Sequence, residues 1–191
     1  ALLAEAVLVI AHNAGFDRPF LEPSFPGFSE KPWGCSMADV PWIAEGLPTT
    51  KLEWLAERHA GVFYEAHRAD VDTLAGVHLL ATALPSGERA MATLLEGVRR
   101  KTARVWAFGA SFATKDRLKA RGYRWSGGED GKPKAWWRDV SEHDLETERT
   151  WLVADVYSGT CHARVQRFGP KVRYSSRADS VSTSSLWAMT V

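Results

Sequence analysis

The chain has 191 residues, 45% of them hydrophobic, which is ordinary for a globular protein with a packed core and allows one generous domain or two small ones. No apolar run approaches the ~18 residues of a membrane span, and the apolar first ten residues lack the basic flank and cleavage pattern of a signal peptide, so a cytoplasmic protein without membrane contact is expected. The two cysteines, Cys35 and Cys161, have no partner at metal-ligand spacing, which argues against a disulfide framework and a zinc site. The formal net charge of +1 points to no partner, but its distribution does. Between Arg99 and Arg138 stand twelve basic residues against three acids, a net +9 able to attract a phosphate backbone in a salt-dependent way.

In chain order, Ala1 to Ala6 are strong helix formers, and Val7 to Ala11 form an uninterrupted apolar run that reads as a strand buried on both faces. Such a strand needs neighbours, and only Trp33 to Met37 follows as a strand candidate before Arg100; together with the missing initiator Met, this places the other sheet partners upstream of residue 1. A short helix is expected from about Phe16, ended or broken by Pro23 and Pro26. Further helices are expected over Ala38 to Glu45, Lys51 to His59, Arg68 to Leu84 and Glu88 to Arg100. Leu74, Val77, Ala81 and Leu84 give the third of these an apolar stripe, as Met91, Leu94, Leu95 and Val98 give the last. Arg99 to Lys101 fall where a helix C-terminus favours cations, so part of the basic cluster is accounted for by dipole complementarity.

From Thr102 the texture changes. Val105 to Phe108 read as a strand and Lys115 to Arg121 as a helix stopped by Gly122. Tyr123 to Trp125 and Ala135 to Arg138 form a hairpin around a Gly-rich turn, and Ser141 followed by Asp144 opens a helix carrying Leu145, Leu152 and Val156. The resulting division is 1–100, a small α+β unit over 101–175, and a Ser-rich tail over 176–191.

Two constellations carry chemistry. His12-Asn13-Ala14-Gly15-Phe16-Asp17 follows the apolar strand and puts Asp17 in the first turn of a helix at the strand's C-terminal end, where open α/β sheets bind ligands. An acid that only complements the helix dipole is the alternative. His67-Arg68-Ala69-Asp70-Val71-Asp72 opens the long helix; positions five apart diverge by about 140° on a regular helix, so His67 belongs on the preceding loop, from which it can share a site with Asp72. A helix-flanking histidine and a solvated acidic turn are the alternatives.

Taken together, the motifs resemble the DnaQ-like (DEDDh) 3′-to-5′ exonuclease family, that of the proofreading epsilon subunit of bacterial DNA polymerase III. The resemblance covers residues 1 to about 84: the strand with HNAxFD resembles the family's second motif and His67-x-Ala-x-x-Asp72 its third. It implies an α/β, RNase H-like exonuclease domain, here truncated, and two-metal hydrolysis of terminal phosphodiesters at single-stranded DNA 3′ ends, in proofreading or repair, with a DNA polymerase as a partner. It further implies two Mg²⁺ or Mn²⁺ ions held by Asp17 and Asp72, His67 as general base, and Asn13 and Phe16 supporting the site or substrate, with a turn hydrogen bond and core packing as their alternatives. The family's first motif, D-x-E, is absent, so the chain by itself is expected to be inactive, its parent a nuclease. A non-catalytic nucleic-acid-binding or polymerase-interaction module is the rival reading.

The segment from Trp106 to Trp137 resembles an accessory domain of some bacterial DnaQ-like exonucleases. Its aromatics, Trp106, Phe108, Phe112, Tyr123, Trp125, Trp136 and Trp137, are interleaved with basic residues, either as stacking platforms for a single strand or as a small core covered by Lys and Arg stems; Arg124 and Lys134 are the candidate contacts.

Overall fold

The computed structural model describes residues 2–65 and 68–180. Two compact units emerge among the described residues, one of residues up to Arg99 with Pro170–Ser175, the other of Arg100–Gly169 with Ser176–Ser180. The sequence pattern assigns residues 170–175 to the second unit; their backbone carbonyls are instead bound by Arg18 of the first. No helix among the described residues is long and apolar enough to cross a membrane.

The first unit begins with α1 (Leu2–Glu5) and β1 (Val9–Ala11), followed by α2 (Ala14–Ser24) and β2 (Trp33–Cys35). Strands β1 and β2 pair in parallel, Ile10 opposite Gly34. The expected strand over Val7–Ala11 loses its first two residues, and Val7 is exposed. Helix α2 runs through Pro19 and Pro23 and ends at Ser24, before Pro26 opens a 3-10 turn over Pro26–Glu30.

Helices α3 (Leu52–Arg58), α4 (Ala69–Ala81) and α5 (Ala90–Arg99) follow within a few residues of expectation. The helix expected over Ala38–Glu45 is replaced by turns. Two local causes are visible: the Asp39 carboxylate accepts the Cys35 N–H at 2.8 Å, and Pro41 lacks an N–H and disfavours helical geometry at Val40. The expected stripe on α4 is also corrected. Leu74 and Val77 are each 60% exposed, whereas Ala75 is buried and Leu79 and Leu80 pack with Val40, Trp42, Leu55, Leu84, Leu94 and Val98. Because α4 carries apolar residues on more than one side, periodicity alone does not choose its inner face.

The second unit runs β3 (Thr102–Ala107), α6 (Lys115–Ala120), β4 (Arg124–Ser126), β5 (Ala135–Ser141), α7 (Leu145–Trp151) and β6 (Arg164–Phe168). The four strands form an antiparallel sheet in the order β4-β5-β3-β6, the split β-α-β connectivity in which the first strand lies between the third and the fourth. Gly122, at φ 92°, ends α6 as expected, with Tyr123 N–H donating to the Leu118 carbonyl and Gly122 N–H to that of Lys119. Ser141 caps the next helical stretch through Asp144 N–H at 3.3 Å, and α7 continues as a π-helical segment over Leu152–Tyr157. Strand β6 has no counterpart among the elements expected from the sequence.

Alternation sorts this sheet into two faces. Ala103, Val105 and Ala107 of β3, Val140 of β5 and Val165 of β6 pack with Leu118, Leu145, Leu152 and Val156 from the helical side. The residues between them, Arg104 and Trp106 of β3, Trp137 and Asp139 of β5, and Gln166 and Phe168 of β6, point to the opposite face.

Candidate functional site

The end of β1 turns into α2 through Asn13, whose left-handed backbone (φ 78°, ψ 49°) is one that asparagine tolerates better than most residues. Its exposed side chain makes no capping bond. Phe16 is 72% exposed, which removes core packing as its role, and Phe20, one turn on, is similarly bare. Asp17 lies in the first turn of α2, half-buried. Burial pushes its carboxyl above the ordinary value, against the opposing effects of its own N–H and of His12.

His12 belongs to the motif, but the sequence assigns it no role. Its Nε2 is 2.8 Å from the Thr50 carbonyl, which only accepts, so Nε2 carries the proton and Nδ1 accepts from the Ser36 hydroxyl at 2.9 Å. Burial lowers the imidazole below its ordinary value, outweighing Thr50 and Asp17, so a neutral ring pins the end of β1 to the loops at 36 and 50.

The third-motif histidine, His67, lies outside the described residues. Asp72 is in the first turn of α4, half-buried, with its N–H donating to the Arg68 carbonyl at 2.8 Å. Tyr64, which no sequence pattern singles out, donates its phenol to Asp72 and is pushed up by burial first, then by Asp72, Glu53 and Glu57. Arg68 and Asp70 pair at 3.3 Å, well exposed. Asp17 thus has His12 as its titratable neighbour, and Asp72 has Tyr64. Among the described residues, no three His, Cys, Asp or Glu side chains come together as a metal site. Asp17 and Asp72 are hard oxygen donors of the kind Mg²⁺ and Mn²⁺ prefer, but the described donors do not by themselves make up a two-ion centre.

The residue after Asp17 does the most conspicuous structural work. Arg18 is fully buried, donates to the carbonyls of Lys171 at 2.6 Å and Arg173 at 2.7 Å, and pairs with Glu22 one turn away at 2.7 Å. The segment is fastened a second time by Arg173, which reaches the Asp39 carboxylate, the Gly97 carbonyl and the Tyr174 hydroxyl. Burial pushes Arg173 down, but Tyr174 and Asp39 outweigh it and hold the guanidinium above its ordinary value. Partners 134 residues apart, as Arg173 and Asp39 are, leave no local pattern.

In the second unit the interleaved aromatics divide. Trp106 and Tyr123 are core, 1% and 3% exposed, whereas Phe112 and Trp125 stand out at 79% and 53%. Tyr123 donates to Glu148 at 2.9 Å, and Arg121 and Arg138 close on the same buried carboxylate at 3.2 and 3.1 Å. Lys134 and Arg124 are both exposed, and the Arg124 guanidinium lies 5.6 Å from the Trp137 ring centre. Compared with protein-family models, with curated proteins and with solved structures, the chain matches none.

Proposed function

We propose that the chain carries the second and third motifs of a DnaQ-like 3′-to-5′ exonuclease acting on single-stranded DNA 3′ ends. One observation supports this reading above the others. Asp17 is held half-buried in the first helical turn behind the C-terminal end of a parallel strand, its carboxyl pushed up by desolvation. A carboxylate so desolvated is one that a cation would stabilise. In the proposed reaction His67 takes the proton of the attacking water, Asp17 and Asp72 supply oxygen ligands, and the exposed ring of Phe16 offers the terminal base a stacking surface. Two Mg²⁺ or Mn²⁺ ions would stabilise the attacking and leaving oxygens, with further ligands beyond those described here.

The test is release of nucleoside monophosphates from 3′-labelled DNA and RNA single strands in Mn²⁺, by this chain and by the product of its whole reading frame. Stepwise 3′ release by the latter is expected, falling about a hundredfold or more in His67→Gln. Asp17→Asn and Asp72→Asn should abolish it. Strand binding without any hydrolysis selects the non-catalytic reading, and hydrolysis indifferent to all three substitutions refutes the assignment of the site.

A further inference from the structure

The sheet of the second unit packs α6 and α7 on one face, and the other carries a row of residues that cross-strand pairing brings into line. Arg124 of β4 lies opposite Trp137 of β5, Trp137 opposite Trp106 of β3, and Trp106 opposite Arg164 of β6. Basic, aromatic, aromatic and basic side chains thus span all four strands, roughly 14 Å from edge to edge at the usual strand spacing. The tryptophan rings meet at 6.1 Å and 42°. Arg124 lies over Trp137 at 5.6 Å, and Arg164 over the ring of Phe108, just beyond β3, at 5.0 Å.

Much of this face is accounted for by packing. Arg104 is buried, forms a two-pronged pair with Asp139 at 2.7 and 3.0 Å and lies 4.1 Å from the Trp137 ring, so the one acid in the strands of this face is neutralised. Trp106 is buried with its N–H satisfied by Gln166, and Gln166 in turn donates to the carbonyl of Ala178, which lays the short turn Ser176–Ser180 over that part of the sheet. The row's two ends differ. Arg124 and Arg164 are exposed, have no acid partner among the described residues, and border half-buried Trp137 and Phe108.

The geometry points to this row as a binding site for single-stranded nucleic acid, with bases stacking on Trp137 and Phe108 and phosphates held by Arg124 and Arg164. Two features choose that occupant over an acidic peptide. Flat aromatic faces flanked by guanidinium groups match the alternation of base and phosphate along an unpaired strand, and residues 100–169 carry fourteen Lys and Arg against nine Asp and Glu, a net +5 that favours a polyanion. The inference is independent of the nuclease reading.

The experiment uses the full chain, a fluorescein-labelled dT12 strand, its rU12 counterpart and a 12-base-pair duplex, read by anisotropy in EDTA so that no metal-dependent cleavage intervenes. The dissociation constant for the single strands is expected on the order of 10⁻⁶ to 10⁻⁴ M, with the duplex at least about tenfold weaker. Arg124→Gln with Arg164→Gln should weaken binding about tenfold or more and flatten the salt dependence by about 1.4 in log–log slope, about 0.7 for each phosphate that is no longer neutralised. Both residues are exposed, and an unchanged circular dichroism spectrum and melting temperature verify the fold. Lys119→Gln, on the exposed side of α6, is the control and should change little. Ultraviolet crosslinking of a bromodeoxyuridine strand should map to Trp137 or Phe108. The inference is overturned by undetectable binding, by equal affinity for the duplex, by equal losses in the control and the double variant, by competition from poly-glutamate as strong as from dT12, or by adducts confined to Trp125 and Phe112. Asp17→Asn should leave this binding intact, which separates its failure from failure of the nuclease reading.

Discussion

Replacing Arg18 with methionine is the sharpest probe of how the first unit is held together. The substitution keeps an apolar stem of similar length beside Trp33, whose ring centre lies 5.3 Å from the guanidinium carbon, and removes only the charge and its donors. Two short bonds to the carbonyls of Lys171 and Arg173 disappear; the third, to Pro170 at 3.4 Å, is too long to count for much. Hydrogen bonds to a charged group contribute about 1.5–3 kcal/mol each, and breaking a buried ion pair from one side costs about 3–5 kcal/mol. These figures share one guanidinium and do not add, so a net loss of about 4 kcal/mol is expected, roughly a thousandfold in the local opening equilibrium. Hydrogen exchange reads it directly, because the Trp33 N–H donates to the Pro170 carbonyl at 3.1 Å and should lose protection by about that factor. Adding Glu22→Leu should recover part of the loss, since an apolar pair replaces a buried carboxylate that has lost its arginine, although the bond Glu22 accepts from the Ser175 hydroxyl goes too. Unchanged Trp33 protection, with a urea midpoint shift worth less than about 1 kcal/mol, would show that Arg18 does not fasten the segment.

Two further outcomes follow from close contacts and burial. Gly97→Ala lies inside α5, where alanine ordinarily gains about 1 kcal/mol over glycine, but its new Cβ would sit 2.8 Å from Asp39 Cβ and 2.9 Å from the Asp39 carbonyl oxygen. Asp39 is fixed by Cys35 N–H and Arg173 and cannot step aside, so a net loss of about 1–3 kcal/mol and a lower Tm are expected; an unchanged or higher Tm would contradict that reading. For His12, a folded-state value below the ordinary 6.5 means the unfolded chain binds the proton more tightly. This stability component is complete above that value and is lost as pH falls below it. The urea midpoint of the wild type should therefore drop more between pH 8 and pH 5.5 than that of His12→Gln, and equal drops would remove His12 as the cause.

What the sequence made legible is what local interactions determine. The strand-turn-helix order around Asp17, the ends of α3 and α5, the hairpin from Arg124 to Ser141 and the glycine stop at Gly122 depend on residues within a few positions of one another. The failures have a common cause in distance. The turn over Ala38–Glu45 depends partly on the Asp39 carboxylate, which also pairs with Arg173, and no propensity scale registers that. Leu74 and Val77 match a helical stripe as well as Leu79 and Leu80 do, and only the packing of the unit decides between them. At the candidate site the motif residues were plain, but their neighbours were not: Tyr64 meets Asp72 from before the helix, and Ser36 and Thr50 reach His12 across 24 and 38 positions.

The return of Pro170–Ser175 to the first unit sets an order of events during synthesis. A nascent chain that has reached Arg99 holds helices α1 to α5, yet Arg18 and Asp39 still lack the partners that residues 171 and 173 bring them. At about 5–20 residues per second the ribosome needs about 4–15 s more to deliver them, time in which all four strands of the second sheet are made. The sheet of the second unit is therefore translated before the first unit is closed, and a fragment stopped at residue 100 leaves a buried arginine without its carbonyl partners.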